Sequence, residues 1–270
     1  MNRISRLQER LLVAARRRVV RSDWLNRHLP WPLWCEVAAA DSLAVAWVIA
    51  RRAGRPLTFV EIGANDGVSW DPVHPVVKAY GWSGLLVEPI PALYERLLVN
   101  YAGVPNLQFE NAAIGPRDGT ATIYAVDPRP EDKEWVGLLT SFERHTILSH
   151  EDILPDVAER IVEVQVNLLT LRTLVSRHNV TSIDLLIVDT EGYDYEILKQ
   201  IEFSSSWAPS LIIYEREHFD RSTDRAARRL LHNAGYRLAK VRADMLAYRV
   251  PPERLGGNQG QRRRRSKRSE

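Results

Sequence analysis

The 270-residue chain contains a single cysteine, Cys35, which excludes an intrachain disulfide and any zinc cluster built on cysteines. That scarcity fits a reducing cytoplasm. Long apolar runs are also missing. The best candidate, residues 43–50, stops at Arg51-Arg52, short of the roughly 18 residues a membrane span requires, so it reads as a buried helix. Residues 1–22 hold seven arginines and no uninterrupted apolar stretch, so no cleavable signal peptide is expected. The chain has neither the Gly-x-Gly-x-x-Gly spacing of pyrophosphate binders nor the Lys-Ser/Thr of a phosphate-binding loop.

What is present begins with charge. The net charge of +3 hides an asymmetry: residues 1–22 carry +6, residues 261–270 carry +5, and residues 23–260 carry −8. Two basic ends flank an acidic body, so a nucleic-acid-binding surface over the whole fold is not expected. Ile4, Leu7, Leu11, Ala14 and Ala15 recur at helical spacing among arginines, which predicts a basic amphipathic helix over 3–20. Such a helix docks on the domain or a partner, or lies on a membrane surface. Pro30 and Pro32 separate it from a second predicted helix near 38–53.

From residue 57 onward, short apolar runs at 57–62, 84–88, 107–114, 183–189 and 210–215 alternate with helical stretches at 92–101, 168–177 and 193–201. Continuous apolar strands alternating with helices indicate a parallel sheet covered on both faces. The runs 236–241 and 245–250, separated by Arg242-Ala243-Asp244, read as a closing antiparallel hairpin. Residues 127–162, with Pro128, Pro130, Trp135 and a helical stretch, interrupt the alternation and read as an inserted loop or lid. The tail 256–270 has no apolar residue and is expected to be disordered.

The chemistry concentrates where strands end. Phe59-Val60-Glu61-Ile62-Gly63-Ala64-Asn65-Asp66-Gly67 is an apolar strand running through a carboxylate into a turn whose glycines let the backbone approach a ligand closely. Such a turn is also what any tight strand-to-helix connection needs. Leu85-Leu86-Val87-Glu88-Pro89 is a second strand ending in a carboxylate, able to accept hydrogen bonds from a ribose diol. A carboxylate on the first strand suits an ammonium or sulfonium better than a phosphate. A methionine-derived sulfonium joined to a ribose therefore fits better than NAD or ATP.

These residues, with Asn111-Ala112-Ala113-Ile114-Gly115, Ile183-Asp184-Leu185-Leu186-Ile187-Val188-Asp189-Thr190-Glu191-Gly192-Tyr193-Asp194 and Leu211-Ile212-Ile213-Tyr214-Glu215, resemble the FkbM-type methyltransferases over about residues 57–220. The resemblance implies S-adenosylmethionine as cofactor and hydroxyl acceptors on sugars, glycolipids or polyketide-like molecules. It implies an α/β, class I methyltransferase (Rossmann-like) doubly wound sheet of order 3-2-1-4-5-7-6, mostly parallel, with a C-terminal antiparallel hairpin. It further implies that Glu61, Gly63, Ala64, Asn65 and Gly67 line the methionine end, that Glu88 holds the ribose and that Asn111 faces the adenine. Capping of the next turn is the other role open to Asn111. Trp70-Asp71-Pro72-Val73-His74-Pro75 is rich in proline for a helix start, so the first helix is expected to begin late, near Pro75.

On the acceptor side, Asp189 and Glu191 after the fourth strand and His145 in the insertion are the candidate catalytic residues. Asp189 and Glu215 are candidate ligands for Mg2+ or Mn2+. Asp189 capping the next helix and Glu215 pairing with a base are the structural alternatives, and His218 is a further candidate base. The expected domains are an N-terminal helical extension over 1–55, a methyltransferase domain over 56–255 and the basic tail. The expected partner is a small-molecule or glycan acceptor, the expected location cytoplasmic, with residues 1–22 available for peripheral membrane contact. A non-catalytic, cofactor-binding partner protein and a nucleic-acid methyltransferase are the competing readings. The second is disfavoured, since no Asn/Asp-Pro-Pro-Tyr/Phe tetrapeptide of amino-methylating enzymes occurs.

Overall fold

The computed structural model describes residues 42–249 apart from Trp70 and Arg242. The expectations for the helix over 3–20, the membrane contact of 1–22 and the tail 256–270 lie outside the described residues.

Strands β1 (Thr58–Ile62), β2 (Ser83–Val87) and β3 (Leu107–Glu110) form one half of a seven-stranded sheet. Strands β8 (Leu185–Val188), β9 (Leu211–Glu215), β10 (Arg237–Val241) and β11 (Asp244–Tyr248) form the other. The spatial order is β10-β11-β9-β8-β1-β2-β3, which is 3-2-1-4-5-7-6 when the strands of this sheet are counted along the chain. β1, β2, β3, β8 and β9 pair in parallel, and β11 is antiparallel to both neighbours.

Alternation along each strand divides the core in two. Phe59, Leu86, Leu185, Ile187, Leu211 and Leu246 face helices α1 (Ser42–Ala53) and α2 (His74–Tyr80). Val60, Ile62, Leu186, Val188, Ile212 and Met245 face α6 (Leu171–Arg177), α7 (Asp194–Leu198) and α8 (Arg221–Asn233). α3 (Pro91–Asn100) follows β2 and buries Leu93 and Leu97. α2 starts one residue before Pro75, as the proline-rich entry predicts.

Helix α1 packs on the sheet: Val45, Ala46, Val48, Ile49 and Ala50 are fully buried, each larger aliphatic contributing about 1.5–3 kcal/mol. One strand boundary differs from the sequence expectation. The run 107–114 is not one strand. It breaks at Asn111-Ala112, and β4 (Ala113–Ile114) leaves for a second sheet with β5 (Gly119–Val126), β6 (Thr140–Ser141) and β7 (Ile161–Leu169), in the order β4-β7-β5-β6. The lid read at 127–162 is the far end of this sheet. It carries a 3₁₀ turn (Glu134–Leu138) and the short helices α4 (Arg144–Leu148) and α5 (Val157–Arg160). Among the described residues no helix is long and apolar enough to cross a membrane.

Candidate active site

The carboxyl ends of β1, β2, β8 and β9 open into a cleft of about 430 Å³, within the range of small-molecule sites. The β1 turn forms its floor. The amides of Gly63 and Ala64 both donate to the Val87 carbonyl at 3.0 Å, so the chain folds over the end of β2. Gly63 has φ +87°, and a Cβ there would lie 1.8 Å from the Asp189 carbonyl oxygen. Only glycine lets β1 and β8 meet this closely.

Glu61, Gly63, Ala64, Asn65 and Glu88 all line the cleft. Glu61 is buried, and its Oε2 has no hydrogen-bond partner. An orphaned carboxylate oxygen in a cavity wall is a strong acceptor awaiting a donor. Burial, then the charges of Asp71 and Asp189, hold its carboxyl well above the usual range. Glu88 is tied down: its Oε2 accepts from the Asn65 amide at 2.9 Å and its Oε1 from the Ile90 amide at 2.8 Å. Burial outweighs these bonds and pushes it up to about 7.

Gly67 and Asn111 do not line the cleft. Gly67 is buried with φ +72°, and a Cβ would strike Leu97 and Tyr101, so its bareness serves packing against α3. The Asn111 side-chain amide donates to the carbonyls of Glu88 at 2.8 Å and Pro89 at 3.1 Å, fixing the loop that carries Glu88. Its Nδ2 is engaged with that backbone.

Sequence reasoning missed Asp71. It lines the cleft beside Glu61, accepting from the Val73 amide at 2.6 Å, the His74 amide at 3.0 Å and the Tyr101 hydroxyl at 2.9 Å. Burial pushes it up to about 6. An aspartate directly before a proline at a late helix start was the available signal.

Asp189, Glu191 and Glu215 line the opposite end of the cleft, with Glu217 and Asp244. Asp189 is exposed to solvent in the open cleft, and desolvation by the cleft walls, then the charges of Glu191 and Asp194, raise its pKa. Glu215 is pushed up to about 11 by burial and then by Asp189 and Glu191. Glu191 has φ +51°, its carbonyl accepts from Ser141 Oγ at 3.1 Å, and its Oε2 lies 2.8 Å from His218 Nε2. That bond raises the pKa of His218.

Two expectations are corrected here. His145 is 78 % exposed, pairs with Glu143 at 3.0 Å and is absent from the cleft wall, because α4 turns it outward. The histidine of the insertion that lines the cleft is His150. Its Nδ1 lies 3.2 Å from the Thr146 carbonyl, which only accepts, so the neutral ring keeps its lone pair on Nε2. A different trio of candidate cation ligands comes together. Donor atoms of Glu191, Glu215 and His218 converge within 4.8 Å of one another, and Asp189 is outside that group.

A mostly parallel sheet of this order, closed by an antiparallel hairpin, with its cleft at the strand carboxyl ends, defines an α/β Rossmann-like methyltransferase fold. The family model for the methyltransferase FkbM domain matches residues 61–238, and the chain belongs to the FkbM methyltransferase family. It is therefore an S-adenosylmethionine-dependent methyltransferase. No curated protein matches it in sequence. Among solved structures, FkbM from Methylobacillus flagellatus is similar at 10% identity and TM-score 0.44, covering 87% of this chain and 58% of that one. A methyltransferase from Geobacter sulfurreducens is similar at 12% identity and TM-score 0.41, covering 92% and 96%. Aeropyrum pernix fibrillarin, solved with natively bound S-adenosylmethionine, is similar at 10% identity and TM-score 0.41, covering 82% and 76%.

Proposed function

We propose that the protein transfers the methyl group of S-adenosylmethionine to a hydroxyl oxygen of a small, sugar-bearing or polyketide-like acceptor. The residues present fit the cofactor: the orphaned Glu61 oxygen suits its ammonium, and the Gly63 backbone leaves room where a side chain would intrude. Glu88 keeps lone pairs for a ribose diol besides those given to Asn65 and Ile90. When bound, S-adenosylmethionine supplies an electrophilic methyl. The carrying observation is the position of Asp189, exposed in the cleft wall at the end of β8, its backbone packed against the Gly63 turn that would receive the cofactor. Asp189 takes the hydroxyl proton as the oxygen forms its bond to carbon.

The test is methyl transfer from labelled S-adenosylmethionine to a panel of alkyl glycosides and hydroxylated lactones, in the presence of chelator. Asp189→Asn should lower kcat by about 10²–10⁴-fold. Full activity of Asp189→Asn, or turnover of none of the panel by the wild type, refutes the assignment.

A second reading, cation-assisted deprotonation, is favoured by the convergence of Glu191, Glu215 and His218, a donor set suited to Mg2+ or Mn2+. Chelator should then abolish activity and added Mn2+ restore it, and indifference to both rejects it. For the basic segment 1–22, peripheral binding to anionic membranes is proposed from its charge alone. Equal binding to anionic vesicles by the full chain and by the chain lacking 1–22 would reject that.

A further inference from the structure

Asp194 is fully buried, and its carboxylate joins the loop after β8 to the end of β9. Its Oδ2 accepts from the Thr190 amide at 3.2 Å and from Thr190 Oγ1 at 2.8 Å. Its Oδ1 accepts from the Glu215 amide at 3.1 Å. The parallel ladder between β8 and β9 ends at the pair Val188 and Tyr214, so the Glu215 amide lies one residue past the last strand partner. Asp194 takes over where the ladder stops.

We propose that Asp194 is a positioning residue: it latches the Asp189–Gly192 loop to the end of β9 and so fixes Asp189, Glu191 and Glu215 relative to one another. This rests on the reading of Asp189 as the proton acceptor. Two features separate a latch from an ordinary helix start. Although Asp194 is the first residue of α7, its side-chain oxygens reach back to Thr190 and across to Glu215 as well as to its own amide. And its charge is placed against electrostatics. Among the described residues no cation pairs with this buried carboxylate. A carboxylate held there for packing alone would be better replaced by an amide. One held to accept three donors would not, since an asparagine puts its NH₂ against an N–H on one side.

The experiment uses the full chain and four variants: Asp194→Asn, Thr190→Val, Thr190→Ser and the double variant Asp194→Asn/Thr190→Val. Each is assayed on the glycoside panel, with S-adenosylhomocysteine affinity by calorimetry and the folded fraction by circular dichroism. The expected result is a kcat per folded molecule 10- to 100-fold lower for Asp194→Asn. Thr190→Val should lose 3- to 10-fold and Thr190→Ser nothing, because the serine keeps the hydroxyl. S-adenosylhomocysteine affinity should stay within twofold throughout, since Gly63 and Glu88 are untouched. The double variant should be no worse than Asp194→Asn, as two changes to one linkage do not add.

Wild-type kcat in folded Asp194→Asn, or in Thr190→Val should the first not fold, overturns the latch. Loss of kcat, nucleoside affinity and folded fraction in parallel also overturns it, because that is what plain destabilisation does. If the wild type methylates nothing in the panel, the acceptor reading fails and the latch is judged by hydrogen exchange alone. Asp194→Asn should then speed exchange at the Thr190 and Glu215 amides at least tenfold. The Asp189 amide, bonded to the Ile62 carbonyl at 3.0 Å, should be unchanged. Unchanged exchange at Thr190 and Glu215 overturns the proposal.

Discussion

Replacing Gly63 with alanine probes the joint on which the cleft is built, and Gly81 provides a control. Both glycines have positive φ, +87° and +63°, but a Cβ on Gly81 meets nothing within 4 Å. On Gly63 it would lie 1.8 Å from the Asp189 carbonyl oxygen and 2.9 Å from its carbon. The control therefore pays only for left-handed backbone, about 1–2 kcal/mol. Gly63→Ala has that same strain and must also part β1 from β8 by roughly 1 Å in a close-packed interior. Parting them stretches the bond from the Asp189 amide to the Ile62 carbonyl. The expected total is at least about 4 kcal/mol, a large share of the 5–15 kcal/mol typical of a domain. Urea unfolding followed by circular dichroism reads the stabilities, and calorimetry reads S-adenosylhomocysteine binding. Gly81→Ala should bind normally, whereas Gly63→Ala should bind nothing measurable even if it folds. A Gly63→Ala protein within about 1 kcal/mol of Gly81→Ala, or one with intact nucleoside affinity, would refute the packing of the β1 turn against β8.

Glu61→Gln should weaken S-adenosylmethionine binding by roughly 10- to 150-fold, the worth of one charge-assisted hydrogen bond, while raising the melting temperature of the free protein. Unchanged affinity by calorimetry would remove Glu61 from the cofactor site. Glu88 rises from 4.5 to about 7 in the fold, so it stabilises below pH 4 and loses that advantage as pH climbs through 7, a swing of about 3 kcal/mol. The stability of the wild type relative to Glu88→Gln should accordingly fall from pH 5 to pH 8 in urea titrations, and a flat or rising difference contradicts the burial assigned to Glu88. His145→Gln should leave methyl transfer within twofold. His150→Gln should lower kcat/KM by about 3- to 10-fold, the size of one neutral hydrogen bond to the acceptor, and the reverse ranking would return His145 to the site.

The sheet was legible because its central strands β1, β2, β8 and β9 are short runs of mostly apolar residues, and four of the carboxylates that matter end or follow such runs. Glu61, Glu88, Asp189 and Glu215 emerge at one rim for that reason alone, since parallel strands present the same end to the same side. The second sheet was not legible. β5 pairs with β7 from Gly119 opposite Leu168 to Val126 opposite Ile161, across a loop of 34 residues, and nothing local announces so distant a partner. His145 and His150 show a related limit. They are five residues apart in the same insertion, and only the orientation of the single turn of α4 decides which faces the cleft. Side-chain spending is also invisible in sequence: Asn111 has the composition of a ligand contact, yet its amide is committed to two backbone carbonyls.

The crowding of carboxylates in the cleft has a consequence for how the free and loaded proteins differ. Glu61, Asp71, Glu88, Asp189 and Glu215 all bind protons more tightly in the fold than in water, and burial is the first cause for each. By linkage, every such group makes the fold less stable at neutral pH than it would be with an uncharged side chain. Their ionisation is disfavoured by the water-poor surroundings and by the missing counter-charge, and a bound cation supplies the second. Positive charge entering the cleft therefore shifts these groups toward their ionised forms and releases protons in proportion. The arrangement ties cofactor binding to the charge state of the rim. If Asp189 is the proton acceptor proposed above, it acts only when ionised, so loading the cleft with a cation and arming that base would be one electrostatic event.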